Sequence, residues 1–70
     1  MAMFKKFGGV CIDVSTIRMV RKYWRILTYP PKYPVVEFTV TGVNRTFEVE
    51  QSEAERFTEY WNKEHPEAPL

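Results

Sequence analysis

Residues 18–28 read Arg18-Met19-Val20-Arg21-Lys22-Tyr23-Trp24-Arg25-Ile26-Leu27-Thr28. Val20, Trp24 and Ile26 fall on one parity, with Lys22 between them. Arg21, Tyr23, Arg25, Leu27 and Tyr29 fall on the other. A helix would scatter both sets, whereas a strand gives each its own face. The β-branched and aromatic content favours a strand as well. One face is then apolar and the other mixes arginine with tyrosine.

The neighbouring stretches continue the pattern. Tyr29-Pro30-Pro31-Lys32-Tyr33-Pro34 lacks three backbone donors and restricts the residue before each proline, which makes it a stiff loop. Val36, Phe38 and Val40 then alternate with Val35, Glu37, Thr39 and Thr41 in a second strand. Gly42-Val43-Asn44-Arg45 forms a short hairpin loop, and Phe47 and Val49 alternate with Glu48 and Glu50 in a third strand. Upstream, Val10, Ile12 and Val14 alternate with Cys11, Asp13 and Ser15 as a further strand. Phe7-Gly8-Gly9 marks a bend, or the end of a loose N-terminal arm over residues 1–9.

Ser52-Glu53-Ala54-Glu55 has the spacing of a capping box, in which the Ser52 oxygen and the Glu55 carboxylate each accept an otherwise unpaired amide. Ala54, Phe57 and Trp61 give the following helix one buried stripe, and Glu59 and Lys63 form a favourable pair four apart. Pro66 and Pro69 end the helix, leaving a tail over residues 65–70. The expected architecture is α+β, a single domain over residues 1–70. It has a small, four-stranded, mostly antiparallel β-meander with one C-terminal α-helix packed on one face.

A register follows from burying the apolar parity. Pairing Trp24 with Phe38 and Ile26 with Val36 puts Leu27 opposite Val35, Arg25 opposite Glu37, Tyr23 opposite Thr39 and Arg21 opposite Thr41. Pairing Val40 with Phe47 and Phe38 with Val49 puts Thr41 opposite Thr46, Thr39 opposite Glu48 and Glu37 opposite Glu50. A slip of one residue would turn an apolar set to water. Arg25 would then sit beside Glu37 and Glu50 and relieve their repulsion.

That register bears on how the charge is distributed. Residues 1–34 hold seven lysines and arginines against one acid, Asp13, a net of +6; residues 35–70 hold three against eight glutamates, a net of −5. The whole chain is nearly neutral at +1, which gives no strong expectation of nucleic acid or an anionic membrane. Part of the split becomes cross-strand pairing on folding. The remainder, Lys5, Lys6, Arg18, Arg21 and Lys32 against the helix glutamates, makes a bipolar surface suited to a protein partner or a second copy.

Several chemistries lack their residues. The single cysteine, Cys11, permits no internal disulfide and fits a reducing compartment. It lies next to core positions and is expected to be a buried, inert thiol. Cys11, Asp13 and His65 have no metal-ligand spacing. His65 sits beside Pro66, no nucleophile has an evident base, and Gly8-Gly9 alone makes no phosphate loop. No apolar run approaches the ~20 residues that cross a bilayer, and no signal core follows Lys5-Lys6. No cofactor, metal or catalytic residue is therefore expected, and the expected location is a bacterial or host cytosol, as for a phage-type product.

What remains is the basic and aromatic stripe. Arg21, Tyr23, Arg25, Tyr29 and Tyr33 are the candidate partner-binding residues, because tyrosine and arginine concentrate at protein interfaces. The reading that follows is a non-enzymatic protein-binding module, an adaptor, regulator or inhibitor that uses its open sheet face and proline-rich loop. A nucleic-acid binder using the same stripe and a structural subunit of a homo-oligomer are the alternatives. Met3, Phe4 and Phe7 have no place in the expected core and suit the oligomer, through an arm that pairs with a neighbouring subunit.

Overall fold

The computed structural model describes residues 3–26 and 32–70. Two antiparallel sheets and one helix make an α+β fold. The first sheet is a hairpin of β1 (Phe4–Phe7) and β2 (Val10–Asp13). A single 3-10 turn, Val14–Thr16, leads into β3 (Ile17–Ile26), β4 (Lys32–Val40) and β5 (Phe47–Glu50), which form the second sheet in the order β3-β4-β5. Helix α1 (Ser52–Glu64) closes the apolar face.

Within the N-terminal stretch, Phe4–Phe7 is a paired strand and not part of a loose arm. Gly8 and Gly9 both adopt positive φ, 57° and 80°, the backbone of the two-residue turn that matches strand twist. Phe7 therefore lies opposite Val10, and Phe4 opposite Asp13. This brings the Phe7 ring to 5.0 Å from Phe57 and 6.0 Å from Tyr60. Phe7 is buried, while Met3 and Phe4 stay exposed. The Asp13 carboxylate accepts from the Met3 amide and from both donors of Ser15, tying the strand ends to the turn that follows.

The core gathers Phe7, Ile12, Val14, Val36, Phe38, Val40 and Val49 against Ala54 and Phe57 of the helix. Phe57 is central, with ring centroids 5.1 Å from Phe38 and 6.3 Å from Trp61. Burying one such ring contributes about 1.5–3 kcal/mol. Past the helix, His65 stacks 4.0 Å from Trp61, the Trp61 indole donates to the Ala68 carbonyl, and the Leu70 amide donates to Asn62 Oδ1. Residues 65–70 thus fold back on the helix.

Both registers differ from the sequence expectation by an even number of residues. Val20, not Trp24, faces Phe38; Arg21 faces Glu37; Trp24 faces Pro34. Between β4 and β5, Phe38 faces Phe47, Val36 faces Val49 and Glu37 faces Glu48. Even slips preserve which side chains share a face, so alternation alone does not choose among them. The stack of Phe38 on Phe47, with centroids 5.5 Å apart, and the wider 41–46 loop fit the observed choice. Near its start β3 has a register shift between Ile17 and Met19, with Arg18 as the extra residue. Such a bulge inverts the local alternation, and Ile17 packs against the core although its number has the outer parity.

The capping box does not form. Gln51 occupies the N-cap position at φ 54°, and Ser52 is already helical. The Gln51 amide continues the ladder by donating to the Pro34 carbonyl at 2.9 Å. β5 therefore runs into the helix with no room for Ser52 to adopt an extended cap. Glu53, not Glu55, takes a distant amide, accepting from Gly8 at 2.9 Å and from Arg56. Arg56–Glu53 is the ion pair of α1 among the described residues, in place of Glu59 with Lys63.

Candidate functional site

The outer face of the second sheet carries the expected stripe, and its cations are occupied. Arg21 binds Glu37 through Nε at 2.9 Å and Nη2 at 2.8 Å. Arg25 binds Glu50 at 3.0 Å and Glu48 at 3.3 Å, not Glu37. The Tyr23 hydroxyl donates to Glu48 at 2.7 Å and accepts from Arg25 at 3.0 Å. The Glu48 carboxylate holds that phenol proton and raises the Tyr23 pKa above its ordinary value. Both guanidinium groups also lie near the Tyr23 ring, at 4.9 and 5.9 Å. Beneath this layer Val35, directly opposite Tyr23, is fully buried. The outer face is thus a covered, charge-compensated surface.

Tyr33 faces Arg25 across the β3–β4 ladder and is half-buried. The structure therefore brings Arg21, Tyr23, Arg25 and Tyr33 onto one surface. Tyr29 and the Tyr29–Pro31 part of the proline loop lie outside the described residues.

The inner face of the same two strands has the exposed apolar groups. β5 pairs with β4 only from Val35 to Phe38. Beyond Pro34 the sheet narrows to a two-stranded ribbon of β3 and β4 in which Trp24 faces Pro34 and Ile26 faces Lys32. Trp24 is 52% exposed and Ile26 81% exposed. Both were expected in the core; the four-residue slip sets them opposite Pro34 and Lys32, beyond the stretch of β4 that pairs with β5. The ammonium groups of Lys22 and Lys32 lie 5.7 and 5.2 Å from the Trp24 ring. Neither lysine has a carboxylate within ion-pair distance among the described residues. The two faces of one ribbon thus differ: arginines neutralised by glutamates outside, lysines flanking bare tryptophan and isoleucine inside.

No family model, curated protein or solved structure matches the chain.

Cys11 is exposed, contrary to the buried thiol expected of it, because β1 and β2 form a separate hairpin that buries only one side. Among the described residues no three acidic, histidine or cysteine side chains gather as a metal site, and no helix is long and apolar enough to cross a membrane. The exposed pair Trp24 and Ile26 escaped sequence reasoning because its parity is that of the core. One signal for it was present: Lys22 interrupts the apolar parity of β3 between Val20 and Trp24.

Proposed function

We propose that the chain is a small, non-enzymatic protein-binding module, an adaptor, regulator or inhibitor, that docks through the β3–β4 ribbon. The observation that carries this reading is the exposure of Trp24 and Ile26 side by side on a ribbon that outreaches the rest of its sheet. Water-exposed tryptophan beside isoleucine is poorly solvated, and tryptophan anchors dominate many protein interfaces. Lys22 and Lys32 supply a polar, cationic rim. The partner is accordingly a protein surface with an apolar recess bordered by carboxylates. Arg21, Tyr23, Arg25 and Tyr33 form the reverse face of the ribbon, where Tyr23 and Arg25 bond the β5 carboxylates and Arg21 bonds Glu37 of β4.

The ion pairs of Arg21 and Arg25 weigh against phosphate contact through the outer stripe, since a phosphate would have to displace Glu37, Glu48 and Glu50. Affinity capture with three baits tests the reading: the natural chain, Trp24→Ala with Ile26→Ser, and Arg21→Gln as an outer-face control. The same protein should be retained by the first and third baits and lost from the second, with unchanged circular dichroism. Retention by the double variant would remove the ribbon from the interface.

A further inference from the structure

Among the described residues, two of the five arginines have no acid partner. Arg21, Arg25 and Arg56 each hold glutamates, whereas Arg18 and Arg45 make no ion pair among the described residues. Both unpaired arginines line one cleft of about 560 Å³, together with Met19, Thr39, Asn44 and Thr46. None of the chain's nine acids lines it. We propose that this cleft binds a phosphate-bearing anion, with Arg18 and Arg45 as the recognising pair.

The backbone shows why the cleft exists. β5 stops pairing with β4 at Phe47 and Phe38. Residues 41–46 therefore form a six-residue connection instead of a tight hairpin, with Gly42 at φ 83° and the Val43 amide donating to the Val40 carbonyl at 3.3 Å. On the other wall, Arg18 is the extra residue of the β3 bulge. Bulges re-aim side chains and recur beside functional sites. The Arg45 guanidinium rests on the Phe47 ring at 4.4 Å, which restrains its stem while leaving its donors unspent.

The donor set selects the ligand chemistry. Two guanidinium groups offer planar forks that match the oxygens of phosphate, and Thr39, Asn44 and Thr46 add neutral donors for the remaining oxygens. Met19, Val40 and Val43 give the cleft an apolar part, but its walls are more polar than apolar and two of the polar groups are cationic, which suits a compact polyanion better than an apolar molecule. Its volume falls within the range of small-molecule sites, roughly 300–1,000 Å³. The site is independent of the ribbon: six residues of extended β3 place Trp24 about 20 Å from Arg18.

Amide chemical shifts of the isotope-labelled chain test the assignment, with sodium pyrophosphate and a single-stranded decathymidylate as separate probes and sodium chloride of matched ionic strength as control. The expected result is saturable shifts confined to residues 18–19, 39–40 and 43–46. Arg18→Gln and Arg45→Gln should each weaken binding about tenfold, the loss of one charge-assisted pair, with the remaining resonances in place. Saturation by pyrophosphate identifies a small phospho-compound as the ligand class. Saturation by the oligonucleotide alone, with shifts at the same residues, identifies the phosphates of a nucleic acid. Lack of saturation by either probe, shifts scattered over all surface lysines, or titrations unchanged in both variants would overturn the proposal. None of these outcomes depends on Trp24 or Ile26, so the docking function stands or falls separately.

Discussion

The Glu53 carboxylate accepts the Gly8 amide proton at 2.9 Å, joining groups 45 residues apart in sequence. That bond fastens the first hairpin to the first turn of the helix, directly beside the Phe7–Phe57 contact. It also contributes to the acid response of the fold. The Gly8 amide, then Arg56, lower the Glu53 pKa, and the Ser15 hydroxyl, then the Met3 amide, lower that of Asp13.

A carboxyl whose pKa is lower folded than unfolded stabilises the fold fully above its unfolded pKa, and this stabilisation is lost as pH falls through the folded value. The melting temperature should therefore hold steady through neutral pH and drop once pH falls below the ordinary carboxylate range. Glu53→Gln should melt lower at neutral pH, lose part of that acid slope and converge with the natural chain in strong acid. Thermal melts from neutral to strongly acidic pH measure this; parallel curves for the two proteins would show that Glu53 contributes nothing to the slope.

Gly8 and Gly9 share positive φ but not surroundings. A Cβ on Gly8 would meet Val49 Cγ1 at 3.2 Å, whereas one on Gly9 would meet nothing within 4 Å. The backbone penalty of the left-handed region, about 1–2 kcal/mol, applies to both. Gly8→Ala should therefore destabilise more than Gly9→Ala, because Val49 is a buried core residue with little room to yield. Urea unfolding of the two variants makes the comparison, and equal midpoints would show that the hairpin lifts away from β5 at no cost.

Gln51 is a non-glycine residue at φ 54°, ψ −123°, with no side-chain cap bond. Such backbone costs on the order of 1–3 kcal/mol. Glycine removes the strain, keeps the amide that donates to Pro34, and loses about 0.5–1 kcal/mol through the freer unfolded chain. Gln51→Gly should thus stabilise the protein by roughly 1 kcal/mol. A higher urea midpoint checks it, and a lower one would mean that the strand-to-helix junction is not strained.

These positions also show what the sequence discloses and what it hides. The α+β class, the strand faces and the Ala54–Phe57–Trp61 stripe were legible, since side-chain parity and helical spacing are local properties. The register was not, because slips of two or four residues keep every face and change only which residues meet. The bulge at Arg18 also breaks parity for a single residue. The charge match of the outer face was thus foreseeable as a type of contact but not in its partners: Arg25 was expected beside Glu37 and Glu50, and it binds Glu50 and Glu48. The same slip exposes Trp24 and Ile26, and the wider second hairpin opens the Arg18–Arg45 cleft. Both candidate sites therefore arise where parity gives no guidance.

The outer network has an alkaline signature. The Glu48 carboxylate raises the Tyr23 pKa above its ordinary value near 10, and burial does the same for Tyr60. A phenol whose folded pKa is raised supports the fold fully below its unfolded value, and that support is lost as pH rises through the folded value. Stability should accordingly decline on the alkaline side, with both tyrosines contributing. Tyr23→Phe removes the Glu48 bond, so it should melt lower at neutral pH and show a shallower alkaline decline, leaving the share of Tyr60. If Tyr23 only covered Val35 without its hydroxyl mattering, the variant would match the natural chain at every pH. Ultraviolet titration of the phenols alongside the melts distinguishes these outcomes, since the natural chain should ionise one more tyrosine late than the variant does.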